Sequence, residues 1–430
     1  MILPKESATF SSCRFNFLGF LLSRTRVITA KDEYTVIVNP AETASTGVRI
    51  NWHNDEGSGE EMCIYTKRSD IKWKHSKKIK ANQELITAYD SLSSKRANGE
   101  DFIESARFIR NTVELQKLEP ATEYMYRLYD DKDAEVRFFK TAPKKGEWTA
   151  ALISDFHSYP PLPKRAVAAM AMLDTLENVN GKDFDFVLHV GDICAWGGSY
   201  SFWRTLYSMP QFSKYMWAGV NGNHDNMDRK STRLSNDYFH YANNNPLNGY
   251  EDQMGVCYYF KYGQVLFIML NNEAMRSDEG LAAAQQWVKN TIKDNPSKYI
   301  VVAEHYQWFY GNDGRTSQYE RWHELFDEYG VDLAIGGNNH IYARTNAIYH
   351  DRETDGKTGT IYLQTPSSDN ERGQATGEWT ENKDKIRYIW SEGPKTVGAL
   401  LMNVNDSKIT LTLYDRNGTA IDSVDVHAKR

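Results

Sequence analysis

The sequence predicts an all-β sandwich over residues 31–142, followed by an α/β domain over residues 147–430. Two observations carry this division. Short segments in which apolar and polar residues alternate fill the first part, a pattern typical of half-buried strands. Continuous apolar runs separated by amphipathic stretches fill the second part, a pattern typical of strands covered on both faces by helices. Residues 142–146 contain Pro and Gly and form the predicted linker.

Composition excludes several classes of protein. The chain has 430 residues, of which 40% are apolar and 13% aromatic, so ordered cores are expected. A net charge of −6 argues against nucleic-acid binding, which needs a basic face. No apolar run is long enough to span a bilayer. The four cysteines are scattered without a Cys-x-x-Cys pair, which predicts buried free thiols or at most one disulfide.

Residues 1–30 are a candidate signal or leader segment. Basic residues precede an apolar core at residues 15–22, and Ala30 offers a small residue for cleavage. Arg24 and Arg26 lie between that core and the cleavage point, where charge disfavours processing. The pattern leaves cleavage open, and a secreted or periplasmic location is the expectation.

Strand signals dominate the first unit. Val48, Ile50 and Trp52 alternate with polar residues and share one face of a predicted strand. Residues 118–124 resemble the Leu-x-Pro-x-Thr-x-Tyr corner of fibronectin type III domains, in which a tyrosine hydroxyl ties a strand start to the upstream backbone. Further strand-like segments lie at residues 62–65, 124–129 and 136–139.

Strands alternate with helices in the second unit. One helix is predicted to start after Pro163. A second covers the apolar stripe from Leu281 to Ile292, and a third ends at Gly330. The apolar runs that predict strands lie at residues 150–153, 186–190, 216–220, 299–303 and 333–335.

A polar cluster follows each apolar run. Because the carboxyl ends of strands in an α/β sheet gather at one edge, these clusters are expected to converge. Their carboxylate, amide and imidazole groups suit a pair of cations about 3.5–4 Å apart, which can clamp the oxygens of an in-line displacement. The clusters are Asp155-Phe156-His157, Gly191-Asp192, Gly222-Asn223-His224-Asp225, His305 and Gly337-Asn338-Asn339-His340.

Each cluster alone has an ordinary structural explanation. Asp-x-His and Gly-Asp are common turns, and a lone histidine such as His305 is more often structural than a ligand. Of the five clusters, Gly-Asn-His-Asp is the one that chance explains least well. In it, Asp225 could orient the imidazole of His224. The occurrence of all five in order at strand ends is what favours a metal site.

The series resembles that of the calcineurin-like metallophosphoesterases over residues 147–345, and within them the purple-acid-phosphatase-like branch. The preceding sandwich, the aromatic stretch at residues 305–310 and Ile341-Tyr342-Ala343-Arg344 favour that branch. The resemblance implies an immunoglobulin/fibronectin-like sandwich followed by an α/β catalytic domain, in which a four-layer β-sandwich (α+β) is flanked by helices. It also implies two metal ions, which could be Mn, Fe or Zn.

The resemblance implies a ligand set for each cation. The positions that match the first metal's ligands are Asp155, His157, Asp192 and His340. Asp192 also bridges to the second metal, whose other matching positions are Asn223, His305 and Asn338.

Two departures from the family pattern involve three positions. Purple enzymes carry a tyrosine where this chain has Ala195 and lack the histidine that His157 provides, so no tyrosinate charge-transfer colour is expected. Asn338 stands where the family has a histidine. An amide oxygen is a poorer ligand than imidazole for zinc or iron, so the second metal is expected to bind more weakly.

The implied activity is hydrolysis of a phosphomonoester or phosphodiester. Two bound metals would acidify a water molecule for in-line attack on phosphorus, and His224, held by Asp225, would protonate the leaving group. Tyr306 and Arg344 are candidate substrate-binding residues, and Trp308 is a further candidate for which core packing is the favoured role.

Two other classes remain open. Asn338 supports a catalytically weakened protein that only binds phosphate esters, and the sandwich supports an adhesion or scaffold protein. The sequence leaves open monoesterase against diesterase activity, the identity of the metals and the oligomeric state.

Overall fold

The computed structural model describes residues 34–90, 94–95, 101–102, 105–129, 134–160, 163–226, 239, 241–242, 244, 257–309, 316–369, 386–390 and 397–429. The candidate leader at residues 1–30 and Tyr310 of the aromatic stretch lie outside these residues. Within them, no helix is long and apolar enough to cross a membrane.

Twenty-five strands and five α-helices make up the described fold. The strands are β1 Tyr34–Pro40, β2 Val48–Asp55, β3 Met62–Lys67, β4 Lys77–Lys80, β5 Asn82–Tyr89, β6 Ser94–Lys95, β7 Asp101–Phe102, β8 Ser105–Leu115, β9 Glu123–Arg127, β10 Arg137–Lys140, β11 Trp148–Ile153, β12 Phe186–His189, β13 Trp217–Gly219, β14 Tyr258–Tyr262, β15 Val265–Met269, β16 Tyr299–Ala303, β17 Leu333–Gly336, β18 Tyr342–Thr345, β19 Ile348–Tyr349, β20 Arg352–Glu353, β21 Ile361–Gln364, β22 Ile386–Trp390, β23 Gly398–Val404, β24 Lys408–Asp415 and β25 Ala420–His427. The helices are α1 Lys164–Asn180, α2 Tyr200–Tyr207, α3 Gln211–Lys214, α4 Asp278–Asp294 and α5 Ser317–Tyr329, and a 3₁₀ turn covers Asn272–Met275.

Eight of the first ten strands form the predicted sandwich, and β6 and β7 pair as a separate two-stranded sheet. One sheet has the order β1-β2-β8-β5 and the other has the order β10-β9-β3-β4, with antiparallel neighbours in both. Trp52 is fully buried in its core. The Tyr124 hydroxyl accepts a hydrogen bond from the Glu119 amide at 2.9 Å, which is the contact predicted for the tyrosine corner.

Two larger sheets face each other in the second unit. The six-stranded sheet has the order β13-β12-β11-β23-β24-β25, and its β11, β12 and β13 run parallel. The seven-stranded sheet has the order β14-β15-β16-β17-β21-β18-β22, and its β15, β16, β17 and β21 run parallel. Helix α1 packs on β11 and β23 of the first sheet.

Alternation along the parallel strands separates two cores. In β15, Val265, Phe267 and Met269 belong to the core shared with the six-stranded sheet. Leu266 and Ile268 point the other way, into a core with residues of α4 and α5. Because strand side chains alternate between faces, one run of five apolar residues serves both cores. The result is the four-layer αββα arrangement that was expected.

Predicted and observed elements agree closely where the pattern is strong. Helix α1 begins directly after Pro163, and α5 begins after Thr316, whose hydroxyl caps the Tyr319 amide. Gly330 ends α5 in the left-handed conformation that glycine tolerates best. Residues 398–427, where no strand was predicted, form β23, β24 and β25 of the six-stranded sheet.

The sandwich packs directly on the second unit. Helix α3 contacts β1, and α2 contacts β5 and β8. The Asn39 amide donates to the Trp217 carbonyl at 2.7 Å, and Phe108 stacks on Tyr200 with centroids 5.7 Å apart. Arg49 donates to the Tyr241 carbonyl at 2.8 Å. These contacts make the apolar core continuous between the two units.

The described cysteines confirm the expectation of free thiols. Cys63, Cys194 and Cys257 are all buried and unpaired among the residues the structure covers. Burial raises the pKa of each thiol, to about 12 for Cys257, so these side chains act as small apolar groups.

Replacing Tyr124 with phenylalanine is expected to destabilise the sandwich by about 0.5–1.5 kcal/mol, because the Glu119 amide loses its partner. Urea unfolding of Tyr124→Phe against wild type measures this difference. The control is Tyr89→Phe, since Tyr89 is 64% exposed and its hydroxyl remains hydrated. Equal midpoints for wild type and Tyr124→Phe would contradict the role of the corner.

Candidate metal centre

The five polar clusters converge at one edge of the two facing sheets. Asp155 follows β11, Asp192 follows β12 and Asn223 follows β13, all in the six-stranded sheet. His305 follows β16 and His340 follows β17, both in the seven-stranded sheet. Because these strands are parallel within each sheet, their carboxyl ends bring residues distant in sequence together.

The backbone at the centre adopts conformations that side chains disfavour. Of eleven described non-glycine residues with positive φ, five belong to these clusters: Asp155, His157, Asp192, Asn338 and His340. Each such conformation costs about 1–3 kcal/mol and persists where the surroundings enforce it. The left-handed turns let the chain reverse at the strand ends and point several polar side chains to one place.

The first group of candidate ligands is Asp155, His157 and His340, whose ligand atoms all lie within 4.8 Å of one another. His340 Nε2 is 3.6 Å from Asp155 Oδ1. The other Asp155 oxygen, Oδ2, accepts the Ser154 hydroxyl at 2.5 Å. These three side chains are buried.

The second group is Asp155, Asp192 and His305, again within 4.8 Å. Asp192 Oδ2 lies 3.1 Å from His157 Nε2 and 3.3 Å from His305 Nε2. A third set, His157, Asp192 and His224, meets the same distance limit. Asp192 therefore lies close to His157, His224 and His305, whereas Asp155 belongs both to the group with His340 and to the group with His305.

Three histidines present the same nitrogen to the centre. His157, His224 and His305 each donate Nδ1–H to a backbone carbonyl, at 2.9, 3.0 and 2.7 Å. This fixes the ring orientation and leaves Nε2 as the nitrogen available to a metal. A second-nitrogen hydrogen bond of this kind is the usual support for a histidine that binds a metal.

Unsatisfied atoms test whether the residues fit cations. Asn223 Oδ1 is buried and has no hydrogen-bond partner in the part of the chain that the structure describes, and the buried His305 Nε2 faces Asp192 Oδ2 at 3.3 Å without a well-formed hydrogen bond. Burying a polar atom without a partner is costly, and both atoms are good metal ligands. Together with two buried carboxylates, they fit a site for divalent or iron-type cations.

Electrostatics support the same interpretation. Burial opposes the charged form of Asp192, but the His305 and His157 imidazoles outweigh it and hold the pKa of this carboxyl well below its usual value. Burial raises the pKa of Asp155, against the pull of His305 and His340. Burial disfavours protonation of His305, yet the Asp192 and Asp155 carboxylates raise its pKa to about 10. In metal-free protein, a proton on His305 would supply part of the positive charge that the two carboxylates require.

The predicted support of His224 by Asp225 is corrected by the structure. His224 Nδ1 donates to the Ala195 carbonyl instead. Both Asp225 oxygens accept backbone amides, from Cys194 and Gly222, each at 2.8 Å. Burial raises the pKa of Asp225 to about 8, with the Asp192 charge adding to it. Asp225 therefore joins the loop after β12 to the loop after β13.

Asn338 contacts the centre mainly through its backbone. Its amide N–H lies 3.2 Å from both Asp155 oxygens. The side-chain NH₂ donates to Gln307 Oε1 at 2.6 Å, so the carbonyl oxygen Oδ1 points away from Gln307. That oxygen is the atom through which an asparagine could serve the second cation.

The candidate substrate residues separate in the structure. Tyr306 is half-buried beside His305, with ring centroids 5.8 Å apart. Trp308 is buried against Phe326 and Tyr362, which confirms core packing for this ring.

The guanidinium of Arg344, the other candidate substrate-binding residue, is paired with Asp422. Nε lies 2.5 Å and Nη2 lies 3.0 Å from the two carboxylate oxygens. Tyr342 donates its hydroxyl to the same carboxylate at 2.8 Å. Because Arg344 lies on β18 and Asp422 on β25, this bidentate pair ties the second-last strand of the seven-stranded sheet to the edge strand of the six-stranded sheet.

Sequence reasoning missed several supporting residues. Asn272 Oδ1 accepts the amides of His305 and Tyr306, at 3.2 and 3.3 Å, and its NH₂ donates to Glu304 at 2.8 Å. Ser367 donates its hydroxyl to the Asp155 carbonyl at 2.9 Å. A serine or asparagine outside the motifs carries no sequence signal for such a role.

Two family models match the chain. A calcineurin-like phosphoesterase model matches residues 149–342, and a model of the purple acid phosphatase N-terminal domain matches residues 34–141. No curated protein sequence matches the chain.

Two solved structures share the fold. Purple acid phosphatase PPD1 from yellow lupin (Lupinus luteus) seeds aligns with a TM-score of 0.70 and 16% identity, covering 92% of this chain and 74% of that one. PhoD aligns with a TM-score of 0.55 and 13% identity, covering 92% of each chain. At these identities the similarity shows the fold.

The chain therefore has a calcineurin-like phosphoesterase domain preceded by a purple acid phosphatase N-terminal domain. It is a phosphoesterase hydrolase of the metal-dependent kind that this domain defines. The predicted resemblance is confirmed.

Replacing Gly222 with alanine is expected to weaken metal binding by about 10–100-fold, because a Cβ there would lie 2.1 Å from Asp192 Oδ1 and displace that carboxylate. Elemental analysis after dialysis against defined metal measures the effect. The control is Gly59→Ala, since a Cβ at Gly59 meets nothing within 4 Å. Unchanged metal content in Gly222→Ala, with a native circular dichroism spectrum, would contradict the assignment of Asp192.

Proposed function

We propose that this protein hydrolyses phosphate esters, monoesters or diesters, at a dinuclear metal site. The observation that carries the proposal is the convergence of Asp155, Asp192, His224, His305 and His340 from five strand ends on one largely buried centre. Two buried carboxylates, with imidazole and amide atoms oriented toward them, are a costly arrangement in the absence of cations.

Each cation has its own proposed ligands. The first would be held by Asp155, His157, Asp192 and His340, and the second by Asp192, Asn223, His305 and Asn338. Bound cations would acidify a water molecule and neutralise charge on the phosphate. This mixture of oxygen and nitrogen ligands accepts Mn, Fe or Zn, so metal identity is a matter for measurement.

The remaining residues position and protonate the substrate. The Ala195 carbonyl holds Nδ1–H of His224, so Nε2 is the nitrogen that would donate a proton to the leaving oxygen. Tyr306, half-buried beside His305, would contact the ester group. A screen of p-nitrophenyl and bis-p-nitrophenyl phosphate hydrolysis with Mn, Fe or Zn tests the proposal and separates monoesterase from diesterase activity.

Replacing His224 with alanine is expected to lower kcat by about 10²–10⁴-fold while metal content stays at the wild-type value, because a general acid is lost and no ligand is. Steady-state kinetics and elemental analysis on the same sample measure both quantities. The control is His350→Ala, since the His350 side chain is 71% exposed and lies outside the site. Loss of metal in His224→Ala would assign this residue to the ligand set His157, Asp192 and His224 instead.

The second cation is proposed to bind more weakly than the first. Asn338 offers one amide oxygen where the family has imidazole, and its orientation depends on the hydrogen bond to Gln307. Zinc and iron favour imidazole over an amide oxygen. Wild-type protein should therefore show two unequal affinities in calorimetric titration with zinc.

Replacing Asn338 with histidine is expected to tighten the weaker zinc site and leave the tighter one unchanged. Calorimetric titration of the variant measures both constants. Asn339→His is the matched control, because it adds an imidazole at the neighbouring position, which is also half-buried. Two equally tight sites in the wild type would overturn the weaker-site proposal.

A phosphate-ester-binding protein with weakened catalysis is the second candidate. The hydrogen bond from the Asn338 side-chain NH₂ to Gln307 favours this candidate. The bond restricts rotation of the amide and so limits how the Asn338 oxygen could turn toward a metal. Binding of a phosphate ester in calorimetry without turnover under any of the three metals would support this candidate over hydrolysis.

Domain boundaries, export and the class of the first unit are also proposals. We place the sandwich at residues 31–142 and the catalytic domain at residues 147–430, because β23, β24 and β25 pair into the sheet of β11. The hydrogen bond at the tyrosine corner supports a fibronectin type III-like class for the sandwich. Secretion or periplasmic location rests on residues 1–30, and N-terminal sequencing of the exported protein tests it.

A further inference from the structure

The sandwich carries a concentrated positive surface, which we call the lysine loop and define as residues 70–80. Between residues 71 and 83 there is no Asp or Glu, in a chain whose net charge is −6. All of the lysines in this stretch are exposed. They are Lys72, Lys74, Lys77, Lys78 and Lys80.

The lysine loop is held rigidly. The Asp70 carboxylate accepts the amides of Lys74 and His75, at 3.1 and 2.7 Å, and the Thr66 hydroxyl at 2.9 Å. Trp73 adopts a left-handed φ of 56°, and the Arg127 guanidinium lies 4.8 Å from its ring centroid. The loop therefore presents its side chains in a fixed arrangement.

An apolar side chain projects from the tip of this basic surface. Ile71 is 77% exposed, the most exposed large apolar residue in the described part of the chain. A second exposed apolar ring, Phe138 at 46%, lies on the same sheet with Arg68 stacked 4.7 Å from its centroid. Ile71 thus lies among the lysines, while Phe138 lies beside Arg68 on β10, at the opposite edge of the sheet from β4.

The acidic residues around the loop are already paired. Glu60 contacts Lys80 at 2.5 Å, Glu123 contacts Arg68 at 3.1 Å, and Glu119 pairs with Lys67. The Asp70 carboxylate is occupied by its hydrogen bonds to Thr66 and to the amides of Lys74 and His75. Lys72, Lys74 and Lys77 form no ion pair with any residue that the structure describes, so their charge is available to a partner.

Edge protection explains only part of this surface. β4 is the edge strand of its sheet, and lysines on an edge strand discourage pairing with another chain. That role accounts for Lys77, Lys78 and Lys80. It does not account for Lys72, Lys74 and Ile71, which precede the strand.

We propose that the lysine loop docks the protein on membranes that contain anionic phospholipid, with Ile71 entering the headgroup region. Clustered lysines are attracted to anionic lipid within about one Debye length of the surface. A soluble polyanion would use the same charges but would leave Ile71 without a partner. The proposal is independent of the phosphoesterase site.

Sedimentation with vesicles of phosphatidylcholine, with and without phosphatidylserine, tests the proposal. Wild-type protein is expected to sediment with the phosphatidylserine vesicles alone and to be released by high salt. Lys72→Glu/Lys74→Glu is expected to lower the vesicle partition coefficient at least about tenfold. Ile71→Ser is expected to weaken binding while leaving its salt dependence unchanged.

The matched control is Lys144→Glu/Lys145→Glu, which makes the same change in net charge at two exposed linker lysines. This control should bind like the wild type, and thermal unfolding should show that every variant is folded. Absence of wild-type binding, or equal loss in both double variants, would overturn the proposal. Retention on an immobilised acidic polysaccharide without vesicle binding would also overturn it and assign the surface to a soluble polyanion.

Discussion

Two buried carboxylates, those of Asp155 and Asp192, set the constraint on which the rest of the structure depends. Both are fully or almost fully buried, and both approach His305 Nε2, at 4.0 and 3.3 Å. Like charges in a water-poor pocket need positive partners close by. The imidazoles supply part of that charge, and the orphaned atoms of Asn223 and His305 indicate that cations supply the rest.

The fold provides this pocket by bringing together the carboxyl ends of parallel strands from both sheets. Each sheet alone carries only some of the candidate ligands. The centre therefore requires the two sheets to face each other with these strand ends side by side. The Arg344–Asp422 pair and the shared core between the sheets hold that arrangement. Glycines complete it, because a side chain at Gly191 would meet His305 and one at Gly222 would meet Asp192. The strained turns and the close backbone approach serve one geometric purpose.

The sequence predicted many of the elements, and the strand ends that carry the candidate ligands, because these follow strong local patterns. The apolar runs of β11 and β16 and the end of α5 at Gly330 are local signals. The partners of Asp225 and Arg344 are set by tertiary contacts, and for Asp225 its adjacency to His224 in the sequence suggested the wrong partner. β23, β24 and β25 were missed since no motif marks them. The supporting role of Asn272 became visible only when its distance to the His305 amide was known.

The most direct test of the account is the metal stoichiometry of wild-type protein beside Asp192→Asn, measured by elemental analysis after gel filtration. Asparagine has nearly the same shape as aspartate but carries no charge, and it offers only one oxygen. The account predicts bound metal in the wild type and loss of at least the weaker metal in the variant. Wild-type protein that binds no metal, or a variant with undiminished content, would contradict it.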